Sequence, residues 1–296
     1  MPTELRWIQA PAVTGFYLAG LADETPIADR PLWQALSGPT RELRRACAAL
    51  NLDFQRLVEH LIFYAADVPA HPLPPEALNH LTTAALSKAA GPEGATLAAA
   101  LEPRVAAVVE ALAAARPKLA EELELRSRPL AEQWEARGPG LLKQLARLTE
   151  PQALVPRAIV LPVYPLTGGG GRALPAYNTA VIEVVLANPR AELPEVTRLA
   201  WLLATLNSDR ERYRAALADP RRVLPLAMVP AVLAAAAEVE LARCEPASVQ
   251  LAIGHWRLDE NRPDEMAETL TAWWQTYLET RPSWTLALAA LEQMIA

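Results

Sequence analysis

Apolar residues recur at helical spacing over most of the chain. Phe54, Leu57, Leu61 and Tyr64 lie three or four positions apart, which places them on one face of a helix. The alanine-rich residues 96–112 repeat this pattern. Alanine favours helix and adds little core volume, so the chain is predicted to be mainly α with a minor β part.

Proline and glycine divide residues 31–150 into five or six predicted helices. Proline removes a backbone donor and glycine weakens a helix, so breaks are expected wherever the two cluster. The predicted breaks lie at residues 37–39, 69–75, 91–92, 117 and 138–140. Residues 1–150 are therefore interpreted as a helical domain.

Two short segments after residue 150 have the composition of β-strands. Residues 158–164 (AIVLPVY) and 177–186, which contain the run VIEVV, are rich in β-branched side chains. They flank the glycine-rich loop 166–175, and this arrangement predicts a β-hairpin over about residues 157–187. Pro162 cannot donate to a ladder, so its strand is expected to lie at a sheet edge or to be bulged at this residue.

Helices are predicted again from Pro194 to the end of the chain. An apolar stripe at residues 196, 199, 203 and 206 marks the first of them, and residues 263–280 and 283–295 give the last two. Residues 151–296 are therefore predicted to form an α+β domain.

The order strand, loop, strand and amphipathic helix in residues 157–207 resembles, in topology only, the edge strand and active-site helix of zincin metallopeptidases. The resemblance covers about a sixth of the chain. That family carries HExxH on the helix, where two histidines hold zinc and the glutamate acts as base. Residues 193–207 (LPEVTRLAWLLATLN) contain no histidine, so the resemblance implies a catalytically inactive relative.

Four consecutive glycines, Gly168, Gly169, Gly170 and Gly171, precede Arg172 in the predicted hairpin loop. A phosphate-binding loop would need a Lys-Ser or Lys-Thr pair and a following helix, and both are missing from the sequence here. Glycine carries the largest backbone entropy, so these five residues are predicted to form a mobile loop.

The histidines His60, His71, His80 and His255 do not have the spacing of a metal site. Glu76 and His80 lie four residues apart on a predicted helix, which leaves a weak metal site as the alternative. Two surface residues that pair along one face of a helix explain this spacing equally well. No metal and no cofactor are predicted.

Charge and cysteine content argue against several classes of protein. The net charge is -6, and the basic residues are scattered, so no nucleic-acid partner is expected. The longest uncharged stretches are short or interrupted by proline, and the N-terminus lacks a secretory pattern, which predicts a cytoplasmic protein without a membrane span. Cys47 and Cys244 are predicted to be buried free thiols.

Aromatic residues are concentrated near the C-terminus, and Trp273, Trp274, Tyr277 and Trp284 are the candidate interaction residues. Adjacent tryptophans cannot share one helix face, so one of them is free to contact a protein partner or a second copy of the chain. The alternative is that all four pack inside the domain.

No catalytic set is clustered in the sequence, which favours a non-enzymatic helical scaffold or protein-interaction protein. The alternative is an enzyme or ligand-binding protein whose site is assembled around the hairpin from distant residues.

Overall fold

A computed structural model describes residues 3–21, 27–258 and 262–296 of the chain. Within these residues it is 67% helical, with twelve helices, and 7% strand, with one small four-stranded mixed sheet. The predicted fold class, mainly α with a minor β part, is confirmed.

In the described residues of the first half, there are one strand and six helices. They are β1 (Glu4–Trp7), α1 (Ala12–Ala19), α2 (Arg30–Ala49), α3 (Phe54–Ala65), α4 (Pro75–Ala90), α5 (Gly94–Ala115) and α6 (Leu119–Leu148).

The second half holds the other three strands and six further helices. They are β2 (Arg157–Val163), β3 (Gly171–Leu174), β4 (Thr179–Glu183), α7 (Glu195–Thr205), α8 (Glu211–Ala216), α9 (Pro220–Glu238), α10 (Pro246–His255), α11 (Pro263–Thr280) and α12 (Trp284–Met294).

Two of the predicted helix breaks are wrong. Helix α2 continues through residues 37–39, and α6 continues through residues 138–140. A proline inside a helix costs about 3 kcal/mol, whereas each leucine that is fully buried contributes roughly 1.5–3 kcal/mol. Both helices bury a long apolar face, which includes Leu32, Leu36 and Leu43 in α2 and Leu123, Leu130, Leu141 and Leu145 in α6.

The strands lie in the order β1-β2-β4-β3. Strands β2 and β4 are parallel, with Ile159 opposite Thr179, so the two segments predicted from β-branched residues do not pair as a hairpin. The hairpin within residues 157–187 is formed instead by β3 and β4, which are antiparallel. Strand β3 could not be predicted from composition, because glycine and alanine have low strand propensity.

The expectation that Pro162 marks an edge strand is wrong, because β2 lies between β1 and β4. The N–H of Ile159 points to β4, and the carbonyl of Val160 accepts from Ile8 on the β1 side. Even-numbered residues of β2 therefore face β1, which ends opposite Val160. The missing N–H of Pro162 falls beyond the end of β1, where it removes no ladder bond.

Helix α7 lies against the sheet, and every one of its residues is buried. It contacts β3, β4, α6 and α9, while α1 packs on β2. Strand β1, which comes from the N-terminal region, pairs with β2 of the second half. The division at residue 150 stays a prediction.

Among the described residues, α9 is the one helix long and apolar enough to cross a membrane, with a mean hydropathy of 1.3. Burial inside the chain covers 72% of that apolar window, which is the environment of a core helix. The expected absence of a membrane span stays a prediction.

Candidate functional site

The glycine loop before β3 is held by a buried carboxylate. Glu183 ends β4 and is fully buried. Its carboxylate accepts the backbone N–H groups of Thr167 and Gly169 at 2.9 Å and of Gly170 at 3.0 Å. Gly168 and Gly169 have φ values of +79° and +138°, which side chains rarely tolerate. The loop conformation therefore requires both the glycines and the buried acceptor.

Arg198 of α7 binds the same loop from the helix side. Its guanidinium donates to the carbonyl of Gly170, to the carbonyl of Glu183 at 2.8 Å and to the carboxylate of Glu195. Both Arg198 and Glu195 are buried, so the charges of the pair are compensated within the core. One side chain thus fixes the loop, β4 and α7 relative to one another.

Tyr17 of α1 closes the loop from the opposite side. Burial, and then the nearby Glu183 carboxylate, hold the pKa of Tyr17 well above its ordinary value, so the hydroxyl keeps its proton. A Cβ atom at Gly170 would lie 2.6 Å from the Tyr17 hydroxyl and 2.5 Å from Thr167 Oγ1. Close packing therefore demands a glycine at position 170.

His255 lies on the far side of Glu195. Its Nε2 atom is 3.9 Å from Glu195 Oε1, and both atoms are buried without a hydrogen-bond partner in the described part of the chain. We call Tyr17, Glu183, Glu195, Arg198 and His255 the hairpin-anchoring cluster.

The His255 ring lines a large cleft of about 1290 Å³ beside α10. The cleft walls carry charges of both signs, which include Arg190, Glu192, Glu240, Arg243 and Glu245. Mixed charge gives this cleft no clear preference for a cationic or an anionic ligand.

A second cleft, which we call the β3 cleft, has a volume of about 430 Å³ and follows strand β3. Its lining includes Gly171, Arg172 and Ala173 from β3 and the indoles of Trp201 and Trp256, which stack with ring centres 5.3 Å apart. The remaining wall comes from α3, the end of α7, the start of α9 and the chain after α10, and it includes Glu59, Arg221, Arg222 and Arg257.

The free edge of β3 faces this cleft. Glu183 donates its N–H to the carbonyl of Gly170, in the same register that pairs Arg172 with Val181. Alternate residues of an antiparallel strand bond to the neighbour, so the N–H and C=O groups of Gly171 and Ala173 point away from β4. No backbone group in the described ranges outside the sheet forms a hydrogen bond with these four groups.

The predicted mobile loop, Gly168 to Arg172, is anchored from outside itself. Arg172 lies in β3 and donates to Gln55 Oε1 at 2.9 Å and to Glu59 Oε1 at 2.8 Å, both on α3. The prediction of mobility rests on the backbone entropy of the four glycines, and these contacts of Arg172 act against it. Mobility itself stays untested.

The four aromatic candidates for an interface form one buried group. Trp273, Trp274, Tyr277 and Trp284 are each 3–5% exposed, and their rings contact one another. Helix α11 packs against α9, α10 and α12, so neighbours cover both adjacent tryptophans. This burial supports the alternative of packing within the domain, and a contact with a partner stays a prediction.

The exposed apolar residues of α12 lie elsewhere on the helix. Leu286 is 62% exposed and Met294 is 50% exposed. If a homodimer forms through α12, these two side chains are the ones available to it.

The four histidines have separate surroundings. His60 forms a hydrogen bond with the Tyr177 hydroxyl, His71 Nε2 donates to the Arg116 carbonyl at 2.8 Å, and His80 is exposed on α4. Among the described residues, no three potential ligands lie together as a metal site would require.

The two cysteines differ in environment. Cys47 is buried, as predicted, and burial raises its thiol pKa to about 11. Cys244 is exposed, so the prediction that it is buried is wrong. It lies between α9 and α10, shortly before Pro246 begins α10.

Sequence reasoning missed most of the hairpin-anchoring cluster. The Glu195 and Arg198 spacing of three is a visible signal for an ion pair, but nothing local indicates that both charges are buried. His255 and Tyr17 come from distant helices, and only the tertiary fold brings them to the loop.

No protein-family model, no curated protein and no solved structure matches this chain.

Proposed function

We propose that this chain is a non-enzymatic protein-interaction protein, which binds an extended segment of a partner along the free edge of β3. The observation that carries the proposal is the outward backbone of Gly171 and Ala173, which lines the β3 cleft. An extended peptide can satisfy such groups by adding a strand to the sheet.

The surroundings of β3 suit one added chain better than another whole sheet. Natural proteins usually cover or shorten exposed edges to prevent aggregation. Strand β3 has only four residues. The walls of the β3 cleft, which include Glu59, Arg221 and Trp256, limit the access of a second sheet to this strand. Gly171 and Ala173 have little or no side chain, so a partner backbone can approach closely.

The hairpin-anchoring cluster supports the proposal because it fixes the strand before binding. Glu183 and Arg198 hold the start of β3, and Arg172 is tied to α3 by Gln55 and Glu59. A preformed edge loses less conformational entropy on binding, which leaves more of the hydrogen-bond energy for affinity.

A peptide array of random nonapeptides, followed by titration of the best binders by fluorescence anisotropy, tests the proposal. Ala173→Pro removes one N–H that faces the cleft and spares the bonds to β4, whereas Ala173→Ser keeps that N–H at similar size. We expect the proline variant to bind at least about tenfold more weakly, a loss of about 1.4 kcal/mol, and the serine variant to bind normally.

A second binding experiment modifies the peptide and uses the wild-type protein, so it does not depend on whether the proline variant folds. Two N-methylated forms of the peptide are compared, one methylated at the odd-numbered amides and one at the even-numbered amides. Only one of these sets of amides faces β3, so methylation of that set should abolish binding and methylation of the other set should have no effect. Binding that tolerates both methylation patterns would contradict strand addition, as would an array without a single binder.

A second candidate function, a catalytically inactive zincin-like protein, has one feature in its favour. Strand β3 lies at the sheet edge beside β4, and α7 follows and contacts both. When HExxH is aligned on Glu195, Pro194 and Arg198 take the two histidine positions. Neither side chain is a zinc ligand, so elemental analysis of the purified protein should find no stoichiometric zinc. One zinc per chain would favour a metallohydrolase instead.

A further inference from the structure

We infer that the partner segment bound in the β3 cleft is acidic, with carboxylate side chains that pair with arginines of the cleft wall. The inference rests on the proposed function, because it names the chemistry of the segment that adds to β3. It comes from the charges around the cleft, which do not enter the argument for strand addition.

The wall of the β3 cleft is basic although the protein is acidic. Arg172, Arg221, Arg222 and Arg257 line it, with Glu59 as the one carboxylate in the lining. The chain as a whole carries a net charge of -6. A positive cleft on an acidic protein is a local feature that the overall composition does not explain, and such a cleft attracts ligands of the opposite charge.

Arg222 gives the clearest uncompensated charge. Its Nη2 donates to the carbonyl of Ile295 at 2.7 Å, a partner that carries no charge, and no ion pair with a described carboxylate involves it. That contact holds the exposed side chain at the start of α9. Arg222 lines the cleft, and the Ile295 contact uses one N–H group of Nη2, so the other N–H groups can bind a ligand carboxylate.

Arg172 and Arg221 are paired but retain donors. Arg221 uses Nε and Nη2 for Asp209, at 2.9 and 2.7 Å, which leaves its Nη1. Arg172 uses one N–H of each terminal nitrogen for Gln55 and Glu59. Each guanidinium has five N–H groups, so both can also bind a carboxylate of the ligand.

The apolar part of the cleft restricts the ligand further. Trp201, Trp256, Pro225, Leu226 and Met266 also line it. Side chains of an extended peptide alternate between two directions, so acidic and apolar residues in one segment can reach different parts of the wall. A peptide with both kinds of residue fits this lining better than a polyanion, whose charges repeat without apolar groups.

Three labelled nonapeptides test the inference. They share the same apolar residues and carry Glu, Gln or Lys at the remaining positions, and each is titrated by fluorescence anisotropy. We expect the Glu peptide to bind at least about tenfold more tightly than the Gln peptide, and the Lys peptide to bind most weakly. The advantage of the Glu peptide should shrink as the salt concentration rises, because salt screens charges at an open cleft.

Variants assign the effect to the cleft. Arg222→Gln should weaken the Glu peptide at least about threefold and leave the Gln peptide unchanged. Arg243→Gln is the matched control, since Arg243 is 84% exposed and lines the other cleft, and it should change neither titration. Equal effects of the two substitutions would overturn the inference, because the charge preference would then be a property of the whole surface.

The outcomes separate this inference from the proposed function. If Glu and Gln peptides bind equally and both depend on the N–H of Ala173, strand addition stands and the acidic partner is wrong. If neither peptide depends on that N–H, the proposed function itself fails. A single-stranded oligonucleotide that binds through Arg222, without any peptide binding, would overturn the acidic peptide in favour of a nucleic-acid ligand.

Discussion

Glu183 Oε2 accepts the backbone N–H of Gly169 at 2.9 Å, and this contact ties the glycine loop to the end of β4. The same oxygen also accepts from Gly170 at 3.0 Å. A buried carboxylate that binds several N–H groups replaces the water that an open glycine loop would use. The loop and the strand that follows it therefore depend on one residue of the neighbouring strand.

Glu183→Gln should loosen the loop and make Arg172 accessible to trypsin. The amide keeps one acceptor oxygen but places N–H donors against backbone N–H groups, so we expect a loss of about 2–4 kcal/mol in the free energy of unfolding. Trypsin should spare Arg172 in the wild type and cut there early in the variant.

Glu192→Gln, at an exposed position, is the control for that substitution and should behave as the wild type does. Early cleavage at Arg172 in the wild type would show instead that the glycine loop is mobile despite its anchors.

Trp274→Ala should destabilise the fold without changing the oligomeric state. Trp274 is 4% exposed and contacts Tyr277 with ring centres 5.2 Å apart. Its removal leaves a cavity, with an expected cost of about 3–5 kcal/mol measured by chemical denaturation.

Leu286→Ala provides the comparison, because Leu286 is 62% exposed on the neighbouring helix. We expect this substitution to change stability by no more than about 0.5 kcal/mol. The opposite outcome would be a wild type that sediments as a dimer and a Trp274 variant that sediments as a monomer with unchanged stability. That result would show that the aromatic group forms an interface between two chains.

The sequence predicts the helices well and the sheet poorly, for identifiable reasons. Spacing alone locates Phe54, Leu57 and Leu61 on one face of α3, where both leucines are buried and Phe54 is partly buried. Local composition locates β2 and β4, but strand pairing depends on residues far apart in the chain, so neither their parallel pairing nor β1 could be predicted from local patterns. The same limit applies to the site, where Tyr17 and His255 meet a loop that lies about 150 and about 85 residues away from them in the chain.

Stability should fall as the pH drops below the ordinary pKa of histidine, in part through His60. Burial, and then Arg56 and Lys88, lower the pKa of His60 in the folded state. The unfolded chain therefore takes up this proton first, and the free energy of unfolding decreases as the pH falls below about 6.5.

His60→Gln should reduce that decrease, because glutamine can keep a hydrogen bond to Tyr177 and does not titrate. Urea denaturation between about pH 7.5 and about pH 5.5 measures it. His80→Gln, at an exposed position on α4, is the control substitution. Identical slopes for the wild type and the His60 variant would mean that His60 titrates alike in the folded and unfolded chain.

The most direct test of whether the β3 edge is free is amide hydrogen exchange in the protein without peptide, measured residue by residue with NMR. The N–H of Arg172 is bonded within the sheet, whereas those of Gly171 and Ala173 face the β3 cleft. We expect Arg172 to exchange slowly and both neighbours to exchange rapidly, until a bound peptide protects all three. If the N–H groups of Gly171 and Ala173 are as protected as that of Arg172 in the free protein, the edge is already occupied and cannot accept a partner strand.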